Sequence, residues 1–132
     1  MKVIDKLAWI HIQDQRLLST RSTGKEVYYI LGGKRESGES DAEALIREIQ
    51  EELSVQLVKD SLHHIGTFKA QAHGHPQGVM VQMTCYAAYY TGKLQAAAEI
   101  EEIVWLSYAD KEKVSPVDKI IFDWLKEERR IR

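Results

Sequence analysis

Three glutamates, Glu48, Glu51 and Glu52, have the clearest capacity for chemistry in this sequence. Their spacing of i, i+3 and i+4 places all three carboxylates on one face of a helix, where they repel one another. They also lie in the second half of the predicted helix, where the macrodipole disfavours negative charge. Most clusters of this kind are solvated helix faces. A divalent cation such as Mg²⁺, which prefers oxygen ligands, would compensate the repulsion.

The helix that carries these glutamates has a well-marked beginning. Ser40 and Glu43 have the spacing of a capping box, and Asp41 adds a negative charge to the first turn. Apolar residues at helical spacing predict the face that packs on the core: Ala42, Leu45, Ile46, Ile49 and Leu53. The turn before the helix contains three glycines, which let the backbone approach a metal or phosphates closely: Gly32, Gly33 and Gly38.

The whole stretch over residues 32–55, GGKRESGESDAEALIREIQEELSV, resembles the Nudix box, the signature of the Nudix hydrolases (MutT-like pyrophosphohydrolases). The match covers each charged position of that pattern with its spacing intact, namely Gly33, Glu39, Arg47-Glu48-Ile49 and Glu51-Glu52. It covers under a fifth of the chain. Two positions depart from the family, since Leu31 stands where proline is common and Ser54 stands where the family has glycine.

Ser54 lies just past the predicted end of the helix, where glycine closes a left-handed cap. We expect Ser54 to keep the left-handed conformation at a strain of about 1 kcal/mol. The position offers no metal ligand, so we expect little effect on chemistry.

The resemblance implies a hydrolase that depends on Mg²⁺, or on Mn²⁺ as a possible substitute. Its metal ligands would be the Gly32 carbonyl and four glutamates, Glu48, Glu51, Glu52 and a late glutamate before a tryptophan-bearing strand. Glu99, six residues before Trp105, is the best match for the late one, with Glu101 and Glu102 as alternatives. The catalytic set would be Glu48, Glu52 and Glu99, with Glu48 or Glu99 taking a proton from water. In the family, Glu39 and Arg47 pair to hold the loop on the helix.

The substrate implied by the resemblance is a small nucleotide, a nucleoside diphosphate linked to another group. Lys34 and Arg35 flank the predicted site, and Arg21, Lys25 and Tyr28 are further candidates for substrate binding. Specificity is expected around Tyr28, Tyr29, His73, His75 and residues 115–118. These residues do not indicate whether the substrate is a nucleoside triphosphate, a nucleotide sugar or a dinucleotide.

The composition restricts the partners. A length of 132 residues fits one domain, residues 1–132, and 44% apolar residues suffice for a core. A formal charge of −2 gives no electrostatic surface for duplex nucleic acid or an acidic membrane. A single cysteine, Cys85, excludes an internal disulfide.

The first residues lack the apolar run of a signal peptide, so a cytoplasmic location is expected. The family often forms dimers, which makes a homodimer a further expectation.

The order of predicted elements indicates the fold class. Strands are predicted over residues 3–12, 16–20, 27–31, 63–72, 80–90 and 103–106, and a second amphipathic helix over 116–129. Strands interrupted by two long helices predict an α/β fold, a mixed sheet with helices on both faces. The resemblance implies the same arrangement, the Nudix α/β/α sandwich.

Two other functions fit the same fold. One is a nucleotide-binding module without catalysis, against which the intact Glu48, Glu51 and Glu52 argue. The other is a prenyl diphosphate isomerase, whose chemistry uses a cysteine and a glutamate. Cys85 is its only candidate cysteine, and its position within a predicted strand favours packing.

Overall fold

A computed structural model describes residues 2–132 of the chain. The strands are β1 (Lys2–Trp9), β2 (Ile12–Gln13), β3 (Arg16–Ser22), β4 (Gly32–Gly33), β5 (Gln56–Leu57), β6 (His63–Gln71), β7 (Val79–Ala87), β8 (Tyr90–Thr91) and β9 (Ile100–Leu106). The α-helices are α1 (Asp41–Leu53) and α2 (Pro116–Glu127), and 3-10 helices span Lys59–Ser61 and Tyr108–Lys113. No helix among these residues is long and apolar enough to span a membrane.

The main sheet is mixed, with the strand order β4-β1-β7-β6. Strands β1 and β7 are parallel, whereas β4 and β6 pair antiparallel to their neighbours. A second, antiparallel sheet has the order β2-β3-β9, and β5 pairs with β8. This confirms the mixed sheet that the element order predicted.

Two hydrophobic cores lie on opposite faces of the sheets. Alternate residues of β1 and β3 serve different cores, because side chains along a strand alternate in direction. Leu7, Trp9 and Leu18 pack with α1, whereas Ala8 and Leu17 pack with α2. The two helices therefore cover opposite faces, which confirms the predicted layers.

The ends of α1 agree with the sequence signals. Ser40 is the N-cap and forms the capping box with Glu43, and Ser54 follows the helix in the left-handed conformation with φ +65°. The left-handed cap at Ser54 is thus confirmed. The fully buried face consists of Ala44, Leu45, Ile49 and Leu53, so Ala42 and Ile46, which the stripe included, lie at its edges.

Two segments differ from the predicted strands. Residues 27–31, predicted as a strand, form only isolated β-bridges at Tyr28 and Tyr29. The strand that pairs with the edge of β1 is instead β4, which consists of the two glycines. The glycine is required there, since a Cβ on Gly32 would lie 1.8 Å from the Leu7 carbonyl oxygen. The first predicted strand also ends early, at Trp9, before the short β2–β3 hairpin.

Candidate active site

Arg47 fixes the loop between β4 and α1 onto the helix. Its Nε donates to Glu39 Oε2 at 2.7 Å, and its Nη2 donates to Glu39 Oε1 at 2.9 Å and to the Lys34 carbonyl at 3.1 Å. Glu39 Oε1 also accepts from the Glu36 amide at 2.7 Å. The guanidinium lowers the pKa of Glu39 to about 2. The structure therefore contains the pair between Glu39 and Arg47 that the family resemblance implied.

Glu48 lies directly against the glycine turn. A Cβ on Gly33 would lie 2.4 Å from the Glu48 carboxylate, so any other residue there would displace it. Arg47 Nη1 donates to Glu48 Oε1 at 2.8 Å, which leaves Oε2 free of that contact. The glycine and the arginine together orient this carboxylate toward the backbone of β4.

Glu52 lies among other carboxylates. Burial raises the pKa of Glu52 well above its usual value, and the neighbouring carboxylates of Glu48, Glu99 and Glu51 act in the same direction. A cation beside these groups would remove the cost of ionising Glu52. Glu51 points elsewhere: its side chain is 58% exposed and lies 3.6 Å from Arg47.

The donor set fits a hard divalent cation, because it consists of carboxylate oxygens beside a backbone turn. Within residues 2–132, no three side chains of histidine, cysteine, aspartate or glutamate already form a complete metal-binding group. Mg²⁺ does not need such a cage, since it commonly binds one or two carboxylates together with waters and substrate phosphates. Glu48, Glu52 and Glu99 would supply the protein ligands.

A cavity of about 320 Å³ is lined by Gly32 and by two of these glutamates, Glu52 and Glu99, whereas Glu48 is not part of its lining. Its other lining includes Tyr29, His73, His75 and the residues that begin α2, Ser115, Pro116 and Val117. The rings of Tyr29 and His73 meet edge to face with centroids 6.3 Å apart. The lining of one cavity thus contains both carboxylates and flat aromatic side chains.

Two lysines, Lys6 and Lys25, line the same cavity. Lys25 was among the phosphate-binding candidates, whereas Lys6 was not identified from the sequence. The sequence contained a sign of this position, because Lys6 lies on the same face of β1 as Ile4 and Ala8. Ala8 belongs to the hydrophobic core that packs under α2, and Ile4 packs against that core. A lysine between two apolar residues of one strand face indicates a cavity or a charged partner.

Unlike Lys25, the other four residues predicted to bind substrate lie in other surroundings: Arg21, Tyr28, Lys34 and Arg35. None of them lines the 320 Å³ cavity. Arg21 Nε and the Tyr28 hydroxyl both donate to Glu102 Oε1, at 3.1 and 2.9 Å. Arg35 bridges Asp5 on β1 and Asp41 at the start of α1. The contacts of Arg21 and Arg35 are structural within this chain.

Asp118 is a fully buried carboxylate next to the cavity wall. Its Oδ2 accepts from the Ile30 amide at 2.8 Å, whereas Oδ1 has no partner among the described residues. Burial raises its pKa to about 7, although the Ile30 amide and the charge of Lys6 act in the opposite direction. The sequence singled out residues 115–118 for specificity but gave no sign of this burial.

Cys85 is fully buried in the hydrophobic core that packs under α2. Burial raises the pKa of its thiol well above the usual value. A thiol of this kind packs as a small apolar side chain and does not reach a substrate. This placement argues against the isomerase alternative.

Comparison with known proteins agrees with the geometry. A family model described as the NUDIX domain matches residues 7–125. The "Uncharacterized Nudix hydrolase YvcI" of Bacillus subtilis is 27% identical over 114 residues, which cover 85% of this chain and 72% of that protein.

Two solved structures share the fold. The solution structure of the Escherichia coli ORF135 protein has a TM-score of 0.77 at 24% identity and covers 98% of this chain and 92% of that one. The MutT NUDIX hydrolase from Burkholderia pseudomallei has a TM-score of 0.76 at 18% identity, with coverage of 93% and 98%. At these identities the likeness establishes the fold alone.

Proposed function

This chain belongs to the Nudix hydrolase family, and we propose that it hydrolyses the diphosphate bond of a nucleoside diphosphate linked to another group, with Mg²⁺ as cofactor. The observation that carries the proposal is one continuous cavity, whose lining includes both Glu52 and Glu99 and the aromatic side chain of Tyr29. A diphosphate beside the glutamates would leave its nucleoside among the rings.

In this proposal, Glu48, Glu52 and Glu99 would hold the cation together with the Gly32 carbonyl. When bound, Mg²⁺ neutralises the phosphoryl oxygens and acidifies the attacking water. The helix keeps Glu48 and Glu52 at a fixed separation, and Arg47 fixes the orientation of Glu48. Glu51 adds negative charge near Glu52 from outside the cavity.

Glu99 is the better of the two candidate bases. One oxygen of Glu48 is already occupied by Arg47, and the other is needed for the cation. The Glu99 carboxylate lines the cavity and makes no hydrogen bond or ion pair with another residue of the range 2–132. With one oxygen on the cation, Glu99 would therefore still have its second oxygen to accept the proton of the attacking water.

Lys6, Lys25 and His73 provide contacts for the rest of the substrate. The lysines supply positive charge for phosphate oxygens that the cation leaves uncovered. The ring of His73, with Tyr29, offers a surface for a base. A cavity of about 320 Å³ lies within the size range of ligand pockets and has room for one nucleoside with its phosphates.

The test is a substrate panel with Mg²⁺ and phosphorus NMR of the products. The panel contains ATP, GTP, CTP and UTP, the nucleotide sugar UDP-glucose and the dinucleotide diadenosine tetraphosphate. We expect hydrolysis of a substrate with one nucleoside, abolished by EDTA and restored by Mg²⁺. The Glu52→Gln variant distinguishes enzymatic turnover from contaminating phosphatases.

Two results would replace this proposal. Nucleotide binding without turnover of any panel member would favour the binding module. Conversion of isopentenyl diphosphate into its isomer would favour the isomerase, despite the burial of Cys85.

A further inference from the structure

The end of α1 is joined to the segment that carries Glu99 by a continuous antiparallel seam, which we define as residues 52–57 against residues 90–97. At one end of the seam, β5 pairs with β8. Beyond Gly92 the pairing continues through the loop, where the Gln95 amide donates to the Leu53 carbonyl at 2.9 Å and the Ala97 amide donates to the Glu52 carbonyl at 2.9 Å. The seam therefore ends two residues before Glu99.

The seam exists because the last turn of a helix leaves carbonyl groups without intrahelical partners. Here the amides of the loop satisfy two of them, those of Glu52 and Leu53. On its other side, Glu99 is tied to the end of β3, since the Thr23 amide and hydroxyl donate to the Glu99 carbonyl at 2.8 and 3.3 Å. The position of Glu99 thus depends on the seam and on Thr23.

Ser54 occupies the middle of the seam. Its backbone is left-handed, with φ +65° and ψ 21°, and its Oγ donates to the Gln95 carbonyl at 3.2 Å. This is the one side-chain hydrogen bond between residues 52–57 and the loop of residues 92–98 in the described chain. Glycine at this position would relax the backbone but would have no group to make that bond.

We propose that Ser54 is a positioning residue, whose hydroxyl anchors the loop of residues 92–98 and thereby fixes Glu99 beside Glu52. The inference rests on the proposed function, in which Glu99 takes part in hydrolysis. It revises the expectation that Ser54 has little effect on chemistry. The serine provides a loop contact that compensates for the strain of a left-handed residue with a Cβ.

Three variants separate the hydroxyl from the backbone. Ser54→Ala removes the hydroxyl and keeps the strain, whereas Ser54→Gly removes both. Ser54→Asn keeps a side-chain donor and suits the left-handed conformation. If the hydroxyl is the anchor, Ser54→Ala and Ser54→Gly should lose the same fraction of activity. Ser54→Gly should nevertheless melt at a higher temperature than Ser54→Ala, because it also removes the backbone strain. The asparagine variant recovers part of the function.

The first measurement is amide hydrogen exchange, which does not depend on activity. We expect the Gln95 and Ala97 amides to exchange at least about fivefold faster in Ser54→Ala and Ser54→Gly than in the wild type, because local opening becomes easier. Ser61→Ala is the matched control. Ser61 Oγ also anchors a turn, as it donates to the Val58 carbonyl and accepts from the Tyr89 amide. Its loss should leave the exchange of Gln95 and Ala97 unchanged.

The second measurement is turnover of the best substrate of the panel. We expect kcat to fall about 3- to 10-fold in Ser54→Ala and Ser54→Gly with KM little changed, since a displaced catalytic group loses rate without losing binding. In a Glu99→Gln background, Ser54→Ala should have no further effect. Ser61→Ala should retain the wild-type kcat.

Several outcomes would overturn the assignment. Unchanged exchange of Gln95 and Ala97 in Ser54→Ala would mean that the hydroxyl anchors nothing. Faster exchange with wild-type kcat would mean that the anchor does not position Glu99. A Glu99→Gln variant with wild-type kcat would instead contradict the proposed role of Glu99, whatever the exchange data.

Discussion

Arg47 and Glu39 form a two-pronged ion pair across the loop before α1, with Nε to Oε2 at 2.7 Å and Nη2 to Oε1 at 2.9 Å. Both side chains are largely shielded, with 23% and 18% exposure. A planar guanidinium that meets a carboxylate in this way has a defined geometry, unlike most surface ion pairs. The pair holds the turn of Gly33 against Glu48.

The first prediction is a coupling between these two residues. We expect Arg47→Ala and Glu39→Ala each to lower the melting temperature, and the double variant to lower it by less than the sum of both. The pKa of Glu39 is lowered from 4.5 to about 2, so its contribution to stability is present above pH 4.5 and is lost as the pH falls toward 2. Thermal melts at pH 7 and pH 3 measure both effects. Additive losses at pH 7 would mean that the two residues act independently.

The second prediction concerns Glu52. We expect Glu52→Gln to reduce kcat by at least about 100-fold, the scale of losing a key electrostatic group in a site. Mg²⁺ should raise the melting temperature of the wild type and have a much smaller effect on this variant, because binding to the native state alone stabilises it. Glu51→Gln is the comparison on the same helix face, and we expect it to have a smaller effect, since the Glu51 side chain is 58% exposed and lies 3.6 Å from Arg47. Equal Mg²⁺ shifts in all three proteins would remove Glu52 from the ligand set.

The features that the sequence predicted depend on local signals. The start of α1 at Ser40 and the left-handed Ser54 follow from residues within one turn of each position. The acidic face of α1 follows from periodicity. These signals are short-range, so a single sequence contains them in full.

The features that the sequence did not predict depend on distant partners. Arg21 was expected to contact phosphate, yet it pairs with Glu102, which lies 81 residues away. Arg35 pairs with Asp5, 30 residues away. Residues 27–31 have strand composition, but the edge of β1 is occupied by Gly32 and Gly33. The sequence shows which residues can form ion pairs or strands, whereas the fold determines which partner each of them contacts.

The third prediction concerns the late acid. We expect Glu99→Gln to reduce kcat by about 100-fold or more, the scale of a lost general base, and Glu101→Gln and Glu102→Gln to reduce it far less. Glu99 lines the cavity, whereas Glu101 and Glu102 both pair with Arg21. Steady-state kinetics of the three variants on one nucleotide make the comparison. If Glu102→Gln is the most damaging, the Arg21 pair breaks when substrate binds.

The fourth prediction is a pH dependence of stability caused by Asp118. Burial raises the pKa of this carboxylate from 3.8 to about 7 in the folded state, so the native protein retains a proton that the unfolded chain has released. The free energy of unfolding therefore falls as the pH rises from about 4 to 7, and it stays at this lowered value above pH 7.

Asp118→Asn removes this titration while keeping the shape and an oxygen that accepts from the Ile30 amide. Relative to the wild type, the variant should gain stability progressively between pH 4 and pH 7, by up to a few kcal/mol on the order that a shift of this size implies. Asp123→Asn is the control with the opposite sign, because Lys111 lowers the pKa of Asp123 and the substitution should cost stability at neutral pH. Urea unfolding across this pH range measures both variants. Parallel curves for Asp118→Asn and the wild type would mean that the buried carboxylate is ionised throughout, with Lys6 compensating its charge.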